Sequence, residues 1–173
     1  MKISEIVTVH AAEFDFSVIS RDNEQKFGFN GKIGQYDMFK NYQSGHVIYY
    51  LVDNDTIIAA IIGKEIGDYI KIKRTFAEYK YRGQKIAYNM YHSIIYNELK
   101  NLMSDNEQTS DGKKIWNDLS KIIPVKSYNF KTKQVGDKSL AYDETHDTVL
   151  ITDAPQLTEN FLVPNLKITE HDL

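Results

Sequence analysis

The chain has 173 residues, 42% of them hydrophobic, with a net charge of −3 and a pI near 5.9. That length suits one domain with a real core, and the acidic balance argues against a dedicated non-specific nucleic-acid binder. The absence of cysteine excludes disulfides, a thiolate nucleophile and a Cys-based zinc site. No apolar run approaches the roughly 20 residues that span a bilayer, and the start, Met1-Lys2-Ile3-Ser4-Glu5-Ile6, lacks a signal-peptide apolar region. A cytoplasmic protein without a membrane partner is expected.

In chain order, Ile3, Ile6 and Val7 alternate weakly, and a first strand is expected near residues 14–19. From Ser20 to Gly45 the chain is polar and glycine-containing, with scattered aromatics and no clean period, so an irregular segment is expected. The β-rich runs Gly45–Val52 and Thr56–Gly63, joined by Asp53-Asn54-Asp55, read as a hairpin. Gly67-Asp68 then turns the chain into an alternating apolar and charged run, Tyr69 to Glu78, the period-2 signature of a half-buried strand. The result is a three-strand antiparallel meander.

Ile86, Met90, Ile94 and Ile95 follow at helical spacing, and a helix from about Lys85 to Leu102 is expected to bury Leu99 and Leu102 as well. Between strand and helix lies the basic turn Tyr81-Arg82-Gly83-Gln84-Lys85. A strand passing through such a turn into a helix aims free backbone N–H groups at one point, where the helix dipole is positive. This corner is expected to bind phosphate. Residues 105–111 are rich in N-cap side chains and precede a second helix from Gly112 to Leu119, closed by Pro124. Strands at 124–130 and 147–152 are separated by a polar connection containing Gly136-Asp137. The pattern is that of an α+β domain, one mixed sheet with helices on its faces.

The order of elements, and above all Tyr81-Arg82-Gly83-Gln84-Lys85-Ile86-Ala87, resembles motif A of the GNAT N-acyltransferase superfamily. The family pattern is Gln or Arg, two residues, Gly, one residue, then Gly or Ala. Arg82 takes its first position and Ala87 its last, while Lys85 stands where Gly is usual. The resemblance implies a GNAT-like fold, a mixed and mostly antiparallel central sheet flanked by helices. The resemblance covers about residues 45–130; with no linker convincing enough to split the chain, one domain is expected over residues 1–152, and Asp153 to Leu173, with Pro155 and Pro164, reads as an extended tail. The resemblance also implies acetyl-CoA as co-substrate without a metal. Amides of Gly83, Gln84, Lys85, Ile86 and Ala87 would bind the pyrophosphate beside Arg82, and the central strand near Phe76, Ala77 and Glu78 would stabilise the thioester oxyanion.

Downstream, the family often carries Asn, two residues, Ala, three residues and a Tyr that acts as general acid. Thr109, Gly112 and Trp116 occupy those spacings here. An indole N–H is a donor only, so Trp116 is left to pack against the pantetheine. The run from Ser104 to Trp116 resembles small GNAT-like proteins encoded by bacteriophages.

Glu78 is the carboxylate nearest the expected oxyanion site and the candidate base. Its structural alternative is a surface pair with Lys80 or Arg82. His92 reads as a surface histidine. Ser104 and Asp105 either line an acceptor pocket or cap the following helix, and Ser110 and Asp111 read as caps. No His, Asp or Glu spacing suggests a metal. Two functions follow. One is direct acetyl transfer from acetyl-CoA to the amine of a small molecule, a protein or a nucleic-acid base. The other is a GNAT-fold binding protein without catalysis, for instance a phage accessory protein acting on a host protein. The acidic pI disfavours nucleic acid as the acceptor. Monomer and homodimer are both compatible with the sequence.

Overall fold

Two tight turns organise the sheet. The computed structural model describes residues 15–28, 31–137 and 147–154. After a 3-10 turn at Phe16–Val18, the strands run β1 (Gln25–Lys26), β2 (Lys32–Ile33), β3 (Tyr36–Gln43), β4 (His46–Asp53), β5 (Thr56–Ile66) and β6 (Tyr69–Ala77). Ser44 and Gly45 both have positive φ (51° and 75°), as do Asn54 and Asp55 (45° and 66°). That is the mirror-image two-residue turn whose twist matches paired strands. Hence β3 to β6 form a continuous antiparallel meander.

A second 3-10 turn (Tyr79–Tyr81) leads to α1 (Ile86–Glu98), then β7 (Asn101–Met103), α2 (Ser110–Leu119), β8 (Val125–Asn129), β9 (Gln134–Asp137) and β10 (Thr148–Thr152). The sheet order is β1-β3-β4-β5-β6-β7-β10-β8-β9, with β2 paired to β3. Among the described strands only β6 and β7 are parallel, joined by α1 as a crossover. The sheet is therefore mixed and mostly antiparallel.

Both described helices feed one core. Met90, Tyr91, Ile94 and Ile95 of α1 and Trp116 and Leu119 of α2 pack with Tyr49, Leu51, Ile61, Ile70, Ile72, Leu102 and Leu150. Each such side chain, fully buried, stabilises by about 1.5–3 kcal/mol. On the opposite face Ile48, Tyr50, Val52, Ile57 and Ala60 form a second core with Ile19. There Tyr50 donates to Glu24 at 2.6 Å, and Glu24 accepts from Arg21 Nε and Nη2 at 2.8 and 2.9 Å.

Several sequence expectations give way. The strand near residues 14–19 is a 3-10 turn over Phe16–Val18, where the Asp15 side chain accepts from the Ser17 amide. The irregular segment 20–45 contains three strands. β3 escaped notice because Tyr36, Asp37, Phe39, Lys40 and Tyr42 put aromatic and charged residues on both faces, leaving no period of two. α1 stops at Glu98, because Leu99 adopts the left-handed region at φ 53° and turns the chain back to the sheet. Leu99 is 60% exposed, and Leu102 is buried as a strand residue. The connection after Phe130 includes a strand, β9, paired with β8. The expected alternation around Ile3 to Val7, and the tail beyond Ala154, lie outside the described residues.

Candidate active site

β6 and β7 pair over only three residues each, and Lys71 opposite Met103 is the last pair. Beyond it β6 runs on for six residues, Ile72 to Ala77, with no strand on that side among those described. The register with β5 slips here: Ile62 faces Arg74 but Gly63 faces Ile72, so Lys73 is an extra residue. A bulge bends the strand and sharpens its twist. The two parallel strands thus open into a wedge at their carboxyl ends, where α/β crossovers place ligands.

Alternation then decides which groups face the wedge. The Glu78 amide donates to the Ile58 carbonyl of β5 at 2.9 Å. In an antiparallel ladder the amides of alternate residues point the same way, so Phe76 and Arg74 also turn toward β5. The amides of Ala77 and Thr75 therefore point to the open edge. Arg82 Nε meets the Ala77 carbonyl there at 3.2 Å. The bulge also reverses the side-chain parity, so that Thr75 and Ala77 join Ile70 and Ile72 on the helix side. Thr75 Oγ1 lies 2.8 Å from the Tyr91 hydroxyl of α1.

At the mouth of the wedge the basic turn closes onto α1. The Tyr81 and Arg82 amides bond to the carbonyls of Glu78 and Tyr79 at 3.0 and 3.1 Å. Asn89 is the first amide of α1 to bond back, to Lys85 at 2.9 Å. Ile86, Ala87 and Tyr88 therefore lead the helix with their N–H groups outward. No side chain caps them and the first turn holds no acid. The helix α2 differs: Thr109 accepts from the Gly112 amide at 3.1 Å, and Asp111 sits in its first turn. Gly83 has φ 82°, and a Cβ there would meet nothing within 4 Å. Lys85 has φ 55°, the left-handed region that suits glycine and costs another residue about 1 kcal/mol. Its ammonium also acts on α2: Asp118 is held below its usual range, first by the Lys121 hydrogen bond and more weakly by Lys85.

The remaining expected residues fall as follows. Glu78 sits at the mouth, next to the turn, with Lys80 Nζ 3.8 Å from its carboxylate. The Phe76 side chain lies on the face away from the helices. Trp116 is 3% exposed and stands edge-on to Tyr91 at 6.1 Å, so it supports the wall from within the core. Ser104 is fully buried and ties strands together: its amide donates to Leu150 O at 2.8 Å and its hydroxyl accepts the Leu150 amide at 2.9 Å. Asp105 faces Lys71 and Lys73 at 3.5 and 4.0 Å. His92 lies against Tyr96, its pKa lowered by burial. Among the described residues no three His, Asp or Glu side chains converge on a metal position. Likewise, no described helix is long and apolar enough to cross a membrane.

Two residues of this region were missed by sequence reasoning. Thr75 joins the open edge only because of the bulge, which leaves no mark in hydrophobic periodicity. Lys71 reads as an exposed strand residue but is fully buried, with Nζ donating to Asn106 Oδ1 at 2.9 Å. Desolvation, with Lys73 nearby, lowers its pKa to about 8.

No protein-family model matches this chain, and no curated protein matches it. Among solved structures it is similar to the ribosomal-protein-S18-alanine N-acetyltransferase of Escherichia coli, at 12% identity over 64% of this chain and 69% of that one, with a TM-score of 0.39. It is also similar to a protein of Bacteroides thetaiotaomicron assigned to the GNAT family of acetyltransferases. That alignment has 10% identity over 89% of this chain and 84% of the other, with a TM-score of 0.42. Neither alignment is close enough to transfer a residue or a role.

Proposed function

We propose that this protein is an acetyl-CoA-dependent N-acyltransferase of the GNAT type, passing an acetyl group directly to an amine. The observation that carries the reading is the continuity of the open β6 edge with the uncapped start of α1. The pyrophosphate of acetyl-CoA would lie on the amides of Gly83, Lys85, Ile86 and Ala87, beside the Arg82 and Lys85 side chains, while the Gln84 amide already donates to the Tyr81 carbonyl at 3.4 Å. Its pantetheine would run along the edge as a substitute strand, using the amides and carbonyls of Ala77 and Thr75. The thioester carbonyl would take one of these amides as its oxyanion donor. Transfer is direct because the chain has no cysteine to carry an acyl group.

Glu78, at the mouth and paired with Lys80, serves the incoming amine as base through water rather than by direct contact. The test is calorimetric titration with acetyl-CoA against adenosine triphosphate as an anion control. Micromolar binding of acetyl-CoA and at least tenfold weaker binding of the nucleotide are expected. Equal affinity for both would reduce the corner to a general anion site and sink the assignment.

A further inference from the structure

The open part of β6 carries one hydroxyl, Thr75, and the structure gives it a dedicated partner. Tyr91 is 2% exposed, set in α1 edge-on to the Trp116 ring, and its phenol oxygen reaches Thr75 Oγ1 at 2.8 Å. Phe and Val would fill the same two positions with the same shape. The two hydroxyls therefore contribute nothing that packing alone requires, and burying a phenol has a cost unless it is hydrogen-bonded. Thr75 is half-buried while Tyr91 is not accessible, so the pair has an inner and an outer end. Burial pushes the Tyr91 pKa up to about 12, which keeps the phenol protonated at neutral pH. Either oxygen can donate in this pair, and when Tyr91 donates outward to Thr75 Oγ1 the threonine proton is left to turn toward the open edge.

We infer that the Thr75 hydroxyl is a catalytic hydrogen-bond donor to the departing sulfur of a bound thioester, and that Tyr91 is the positioning residue that aims it. The inference rests on the acyl-transfer reading above. As the acceptor nitrogen bonds to the acyl carbon, the carbon–sulfur bond breaks and its electron pair stays on sulfur. The nitrogen releases one proton and the sulfur takes one up, so the protons balance. Thr75 stabilises the negative charge that sulfur carries between those events, while the Thr75 and Ala77 amides remain for the carbonyl oxygen. Trp116 is thereby given a part: its edge fixes the Tyr91 ring, and the hydroxyl of this wall comes from α1 rather than α2.

Acetyl-CoA itself is the probe, with water as acceptor, and release of free thiol is read with a disulfide dye. The cysteine-free chain adds no background to that signal. Binding of acetyl-CoA is measured separately by calorimetry. Thr75→Val should lower kcat for thiol release at least tenfold while the acetyl-CoA Kd stays within twofold. Thr75→Ser should remain within threefold of the parent, and Tyr91→Phe should lose about threefold to tenfold in kcat with an unchanged Kd. Parental turnover in Thr75→Val would overturn the inference, as would Thr75→Ser failing equally or a parent that binds acetyl-CoA and releases no thiol. A parent that does not bind acetyl-CoA removes the acyl-transfer reading, and this inference with it.

Discussion

Lys71 Nζ donates to Asn106 Oδ1 at 2.9 Å, a bond between the last residue of β6 that pairs with β7 and the loop that leaves β7. The lysine is fully buried, with Asp105 at 3.5 Å. Desolvation, and then Lys73, lower its pKa to about 8 from an ordinary value of 10.5. The ammonium is thus disfavoured by folding. Between pH 8 and 10.5 the unfolded chain binds the extra proton, so this group makes stability rise with pH across that window. Lys71→Met removes the disfavoured charge together with its contacts to Asn106 and Asp105, so its stability relative to the parent should be highest at pH 7. The difference should move in the parent's favour as pH rises to 10.5. Urea melts of the two proteins at both pH values check it, and a constant difference would remove the titration from the account.

Lys85 holds a left-handed backbone without a glycine's freedom. Lys85→Gly should raise stability by about 1 kcal/mol, or about 3 °C in Tm for a chain of this size. Thermal melting at low and high salt separates backbone relief, which salt leaves alone, from the lost attraction to Asp118.

Gly83 offers the complementary case. A Cβ there would strike nothing in the protein, so Gly83→Ala costs only the strain of φ 82°, about 1 kcal/mol. A ligand approaching the turn amides would meet the new methyl group. Acetyl-CoA affinity should fall at least tenfold by calorimetry while the melting transition stays cooperative.

Thr152 tests the joint between the two halves of the sheet. Its hydroxyl accepts the Leu102 amide at 2.8 Å and donates to Asn101 Oδ1 at 3.0 Å, and Asn101 also takes the Ala154 amide at 3.0 Å. All of these atoms are buried. Thr152→Val leaves a buried amide and an amide oxygen short of partners, and should cost about 2–3 kcal/mol. The fluorescence of the single tryptophan, Trp116, reports the unfolding transition.

The meander from β4 to β6, the first helix and the basic turn were legible because each obeys one period or one turn rule. Asp53-Asn54-Asp55 gave the hairpin, and Ile86, Met90 and Ile94 gave the helix face. The reach of α1 was overestimated because Leu99 and Leu102 fit a spacing of three whether the chain is helical or has already turned into a strand. β3 was hidden by aromatics on both of its faces. The site was legible at its phosphate end, where the signal is local in sequence. The reactive end was not, since Thr75 meets Tyr91 across 16 residues and reaches the helix side only through a register slip. Tertiary pairing, rather than any local preference, sets that slip.

The extra residue at Lys73 makes this wedge sensitive to counting more than to chemistry. Pairing the strand flush with β5, every residue kept but the slip lost, would invert everything downstream of it. Arg74 and Phe76 would then stand where Thr75 and Ala77 stand, with their amides on the open edge and their side chains under α1. A guanidinium and a phenyl ring would be driven against the Tyr91 hydroxyl, while the threonine faced the far side of the sheet. No single substitution in β6 rearranges as many groups at once. Descendants of this sequence can therefore exchange most residues of the strand so long as the slip at Lys73 holds the register.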